Sequence, residues 1–81
     1  MPTVLRIGSY RFHFVSADLR EPPHIHVVSP DGQVKFWLAP IEVDTTRRTS
    51  IRPEDVRDIE RHIRENQALL LESWNDALNK R

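Results

Sequence analysis

The stretch EPPHIHVVSPDGQVKFWLAP, residues 21–40, decides how this chain is read. Within it, HIHVV (24–28) and QVKFWL (33–38) are rich in β-branched and aromatic residues. Between them SPDG (29–32) sets Pro at the second and Gly at the fourth position of a turn. The segment predicts an antiparallel hairpin. Alternation along a strand then puts His24 and His26 on one side, with α-carbons about 6–7 Å apart. Ile25 and Val27 face the other way, into the core. In the second strand Val34, Phe36 and Leu38 share one side, and Lys35 and Trp37 the other.

Upstream, TVLRI (3–7) alternates loosely and stops at the turn signal Gly8-Ser9. YRFHFV (10–15) alternates cleanly, with Tyr10, Phe12 and Phe14 opposite Arg11, His13 and Val15. SADLREPP is a loop, because its prolines cannot sit in a central ladder. Downstream of Pro40, IEVDT is a short fifth strand.

From Pro53 the period changes. Proline suits a first helical position, and Glu54 and Asp55 complement the positive end of a helix dipole. Val56, Ile59, Ile63, Leu70 and Trp74 then follow helical spacing with a gap at Gln67. One long helix, or two with a break near Glu65-Asn66-Gln67, both fit. The expectation is an α+β fold in one domain, 1–81. It has a small antiparallel sheet of four to five strands (1–45), then one or two C-terminal helices (53–79) packed on one sheet face.

Composition narrows the function classes. Eighty-one residues lie near the lower limit for a core that folds without staples. The absence of cysteine excludes disulfides and thiolate metal sites. Twelve basic and 12 acidic side chains cancel, so net charge advertises neither nucleic acid nor membrane. The opening MPTVLRIGS has no long apolar run. Neither a signal peptide nor a spanning helix is expected, and a cytoplasmic protein is. Nothing in the sequence calls for a cofactor.

The polar side of the hairpin holds the residues with chemistry to offer. His24 and His26 are near enough to converge on a metal or a phosphate. Antiparallel pairing of the second and third strands would set His13 opposite them. His13, His24 and His26 with a water then form an open zinc site, with Asp18 or Glu21 as oxygen ligands. Without metal, His24 and His26 are an acid–base pair for a phosphodiester, and Arg11 and Lys35 hold the phosphate. The plainer reading is that a sheet face carries histidines because it meets water.

Lys35-Phe36-Trp37 sets an exposed cation beside an aromatic, with Phe36 in the core and Trp37 either a stacking surface or covered by a helix. On the helical segment Glu54–Arg57, Glu60–Arg64 and Arg61–Glu65 have the spacing of a solvated face laced with ion pairs. Arg47, Arg48 and Arg52 lie outside that pattern and are left to touch a phosphate or an acidic partner.

As a set, MPTVLRIGSYRFHF (1–14), EPPHIHV (21–27), KFWLAP (35–40) and ENQALLLESWND (65–76) resemble the bacterial domain-of-unknown-function 4160 family over nearly the whole chain. Its motif positions here are Pro22, Pro23, His24, His26, Lys35 and Trp37. Many relatives carry a further His just before the Pro-Pro pair. DLREPPH has none there, which counts against a loop metal site. The resemblance implies a small protein encoded beside another small domain of unknown function, similar to a toxin–antitoxin pair. Some relatives are labelled transcriptional regulators.

Three readings follow. The first is a toxin–antitoxin-like component acting through a small protein encoded nearby, its modest core completed by that partner or by a second copy. The second is a nuclease-like toxin using His24 and His26. The third is a DNA-binding regulator, against which the neutral charge balance argues. Whether the chain is an enzyme stays open at this level. No membrane partner is expected.

Overall fold

The computed structural model describes residues 3–14 and 19–80. Five strands come first: β1 (Thr3–Ile7), β2 (Tyr10–His13), β3 (His24–Ser29), β4 (Gly32–Leu38) and β5 (Ile41–Val43). Two helices follow, α1 (Pro53–Glu65) and α2 (Gln67–Asn79). The strands form an antiparallel sheet in the order β1-β2-β3-β4-β5. The fold is α+β, with both helices against the sheet.

Turn chemistry fixes the register. Ile7 pairs with Tyr10 across Gly8-Ser9, and Gly8 has φ 56°, a conformation glycine adopts without steric cost. Ser29 pairs with Gly32 across Pro30-Asp31. Gly32 has φ 147°, and a Cβ there would run into the Ser50 hydroxyl, so the fourth turn position has both a conformational and a steric need for glycine.

Two strands are shorter than their sequence patterns. β2 stops at His13, although Phe14 continues the alternation and is buried; Val15 lies outside the described residues. β5 stops at Val43 because Asp44 turns out of the ladder. Its Oδ1 accepts from the Thr46 N–H at 2.9 Å and the Thr46 hydroxyl at 2.7 Å, while its own N–H still donates to the Lys35 carbonyl at 2.9 Å.

The apolar sides of the strands make one floor of the core. Phe12, Ile25, Val27, Val34, Phe36 and Leu38 are buried, as alternation predicts. Onto them α1 lays Ile59 and Ile63, and α2 lays Leu70 and Trp74. Each fully buried side chain of this size contributes about 1.5–3 kcal/mol, which offsets the ordering of a short chain.

There are two helices because Asn66 interrupts the first. Its N–H bonds the His62 and Ile63 carbonyls, and its side-chain amide donates to the His62 carbonyl at 2.8 Å. Its own carbonyl accepts from the Leu70 N–H at 3.0 Å, which opens α2. The gap at Gln67 also has a cause. The Gln67 amide donates to the Leu38 carbonyl at 2.7 Å and ties the start of α2 to the end of β4.

Beyond Val43 the chain runs along the edge of β4 towards α1, held by side chains more than by ladder bonds. The Thr49 hydroxyl donates to the Gln33 carbonyl at 2.5 Å, and the Ser50 hydroxyl donates to the Asp31 carbonyl. Ile51, buried, anchors the end of the segment. Carbonyls of an exposed strand edge are thereby capped, as edge strands require. Among the described residues, no helix is long and apolar enough to cross a membrane.

Candidate functional site

Register assigns the polar side of the sheet row by row, since directly opposed residues of an antiparallel pair share a side. One row is His24, Trp37 and Glu42. The next is His13, His26 and Lys35. The third is Arg6, Arg11, Val28 and Gln33. The structure therefore brings His13, His24, His26, Lys35, Trp37 and Arg11 to one side of the sheet.

The first row is closed. His24 is completely buried, and its Nδ1–H donates to the Pro22 carbonyl at 3.0 Å. Carbonyls only accept, so the bond fixes the proton on Nδ1. The ring lies edge-on to Trp37 at 5.5 Å and tilts against Trp74 at 5.1 Å. Trp74 also meets Phe14 at 5.1 Å, so it touches residues of both strand parities and closes the end of the sheet. Leu19, in the segment before the prolines, is buried with them. The expectation of a water-facing His24 is thus corrected, because parity sets the side of a sheet but not its cover.

Lys35 also departs from its sequence reading as an exposed cation. Its side chain is only 13% exposed, and Nζ lies 2.7 Å from Glu21 and 3.7 Å from Asp44. The same ammonium sits 4.4 Å from the Trp37 ring centroid, a cation–π distance. Asp44 is itself buried. Hydrogen bonds from the Thr46 backbone and hydroxyl, aided by Lys35, hold its carboxyl below the ordinary aspartate range against the opposing effect of burial. Glu21, read as a spare metal ligand, is here a partner of the lysine. Trp37 is half-buried, with Lys35 and His24 against its ring.

The third row is open, with Arg6, Arg11 and Gln33 exposed, and the second is half-covered. His26 is half-buried and stacks on His13 at 5.6 Å, with His24 edge-on at 5.1 Å. The three imidazoles do cluster. Among the described residues, however, no group of three His, Cys, Asp or Glu is arranged to hold a metal ion, and Asp18 lies outside those residues. Beyond the histidines, exposed Arg6 faces exposed Arg11 directly across the strands.

At the β4 edge a concavity of 390 Å³ is lined by His26, Gln33, Arg47, Arg48, Thr49 and Ser50, with Gly32 and Val34. Both arginines are exposed and make no ion pair among the described residues. Arg52 is different. It pairs with Glu54 at 3.3 Å and Asp55 at 3.2 Å, which removes it from the unpaired cations and supplies Glu54 with a partner other than Arg57. The other two expected helix pairs form, Arg64–Glu60 at 3.2 Å and Arg61–Glu65 at 3.2 Å.

On the helix side a second ionisable group forms around Tyr10, whose ring lies 6.1 Å from His62. Burial and then the charges of Asp55 and Asp58 raise the tyrosine above its usual value. Arg61, bonded to Asp58 at 2.6 Å, holds that carboxylate below the ordinary range.

Sequence reasoning missed Asp44, Thr46, Thr49 and Ser50. The Asp44-Thr45-Thr46 pattern carried a legible signal, since an aspartate followed two residues later by a hydroxyl residue marks an Asx-type turn. Thr49 and Ser50 carried none, because their carbonyl partners are distant in sequence.

No curated protein and no solved structure gives a significant match to the chain. A match to a described family does exist, and it runs from the β1–β2 turn into α2, taking in both histidine rows and the Arg47–Arg48 segment. Over residues 9–75 the chain belongs to the family described as domain of unknown function (DUF4160).

Proposed function

We propose that this chain is a toxin–antitoxin-like component that acts through a protein partner, not through chemistry of its own histidines. The observation that carries the reading is the division of the polar face. His24 is buried, with its Nδ1–H spent on the Pro22 carbonyl, whereas cations of the same face stand open. An acid–base pair must reach one scissile group with both partners, and a fully buried imidazole has no such reach. Lys35, the natural phosphate holder of a nuclease, is committed to Glu21 and Asp44.

Open cations have a different use. Arg6 and Arg11 directly opposed repel each other, a penalty of roughly 0.2–1 kcal/mol that an anionic partner would relieve. Overall neutrality supports a protein partner over a nucleic acid, whose binding rests on excess positive charge. By family resemblance the first candidate is the small protein encoded next to this one.

The test is induced expression in a bacterial host of this chain alone, its neighbour alone, and both together, with a tag for co-purification. We expect the two proteins to co-purify. Any effect on growth is then expected to depend on both being present and to survive His26→Ala. Arrest by this chain alone that disappears in a folded His26→Ala variant would replace the proposal with the nuclease reading.

A further inference from the structure

We infer that the open end of the polar face is the docking surface for an acidic segment of that partner, whose carboxylates are received by Arg47 and Arg48 at the edge of β4. This inference rests on the partner reading above and names the surface and the chemistry it recognises.

Positive charge is left uncompensated in a particular place. Lys35, Arg52, Arg61 and Arg64 are all ion-paired within the fold. Arg6, Arg11, Arg20, Arg47, Arg48, Arg57 and Lys80 are not, among the described residues, and of these Arg6, Arg11, Arg47 and Arg48 border one continuous surface. Arg6 and Arg11 lie in the row that continues through Val28 to Gln33. Gln33 in turn lines the concavity with Arg47, Arg48 and His26.

Of the carboxylates near this face, Asp31, exposed in the β3–β4 turn, acts on Tyr10 and Arg52. Glu21 and Asp44 are bound to Lys35, and Glu42 sits in the row of His24 and Trp37, at the closed end. The hydroxyls of Thr49 and Ser50 donate to the Gln33 and Asp31 carbonyls, so they hold the wall of the concavity in place. The donors left to meet a ligand are the guanidinium groups, whose planar forks match carboxylates in a bidentate way. A strip of cations with a recess at one end fits an extended acidic segment better than an isolated ion. The neutral net charge disfavours nucleic acid as its occupant.

The probe is a fluorescein-labelled octaglutamate peptide, titrated with the purified chain by anisotropy at low and physiological salt. An oligo-dT of equal charge is measured in parallel. Octaglutamate is expected to bind more tightly than oligo-dT, and to weaken at least tenfold in the double variant R47E/R48E. The charge-matched control R57E/K80E, on α1 and just past the end of α2, is expected to weaken it less than threefold. Circular dichroism checks that each variant is folded.

No binding of octaglutamate by the wild type, or equal weakening in both double variants, overturns the inference. Tighter binding of oligo-dT overturns it in favour of nucleic acid. Such failures leave co-purification with the neighbouring protein intact, so a partner would then dock elsewhere. Loss of co-purification with octaglutamate binding retained would instead remove the partner reading and leave an acid-binding surface.

Discussion

His24 and His26 stand on the same side of one strand, two residues apart, and meet opposite environments. Around His24 the face is sealed by Trp37, Trp74 and the Pro22 carbonyl. Around His26 it opens towards Gln33, Arg47 and Arg48. The closed end gathers aromatic rings, a buried carboxylate and a lysine held between acids. The open end gathers arginines that make no ion pair among the described residues. One motif can therefore serve two purposes, with one histidine building the fold and the other helping to floor a surface.

This contrast can be broken most forcefully at Trp74. Trp74→Ala removes the side chain that closes the sheet end, and should cost about 3–5 kcal/mol in urea denaturation. For a domain this small that approaches the whole of its stability. A loss below about 1 kcal/mol would mean that the closed end is not closed.

The histidines themselves sharpen the comparison. His24→Ala should cost about 2 kcal/mol, from a lost buried hydrogen bond and the cavity left behind. His26→Ala should stay within about 0.5 kcal/mol. Equal costs would erase the distinction between the two ends.

A third variant probes the strap along β4. Gly32→Ala should cost about 1–2 kcal/mol, through its φ of 147° and the Ser50 contact. Adding Ser50→Ala should recover part of that loss by removing the colliding hydroxyl. No recovery would place the whole cost in the backbone.

Acid tests the closed end more gently. The Asp44 carboxyl has its folded pKa depressed, so its stabilisation is complete above the unfolded value of about 3.9. It is lost as pH falls through the folded value. The stability gap between wild type and Asp44→Asn should therefore hold from neutrality to about pH 5 and shrink below pH 4. A gap that widened on acidification would have the wrong sign. Smallest of all, Arg11→Gln should raise stability by a few tenths of a kcal/mol, roughly, by removing the repulsion from Arg6. The same thermal melt should show the gain fade in high salt.

Much of the architecture was legible in the residues. Period-two alternation in YRFHF and QVKFWL, the SPDG turn and Pro53 placed the strands, the hairpin and the start of α1 close to where they lie. The shared side of His24 and His26 was legible for the same reason. Their different depth was not, because the ring that covers His24 is Trp74, which is remote in sequence. Lys35 illustrates the same limit. Its side of the sheet followed from parity, but its ion pairs follow from Glu21 and Asp44 arriving through loops of no regular period. Arg52 was read as unpaired although Glu54 and Asp55 stood two and three residues away, because it precedes the helical segment on which pairs were sought.

The division of the face is tested most directly by diethylpyrocarbonate labelling of the native chain, with each histidine read out by peptide mass spectrometry. His26 should be modified in the folded state, while His24 should be protected until urea unfolds the chain. Modification of His24 at the rate of His26 under native conditions would contradict the account, and would return both imidazoles to the candidates for chemistry.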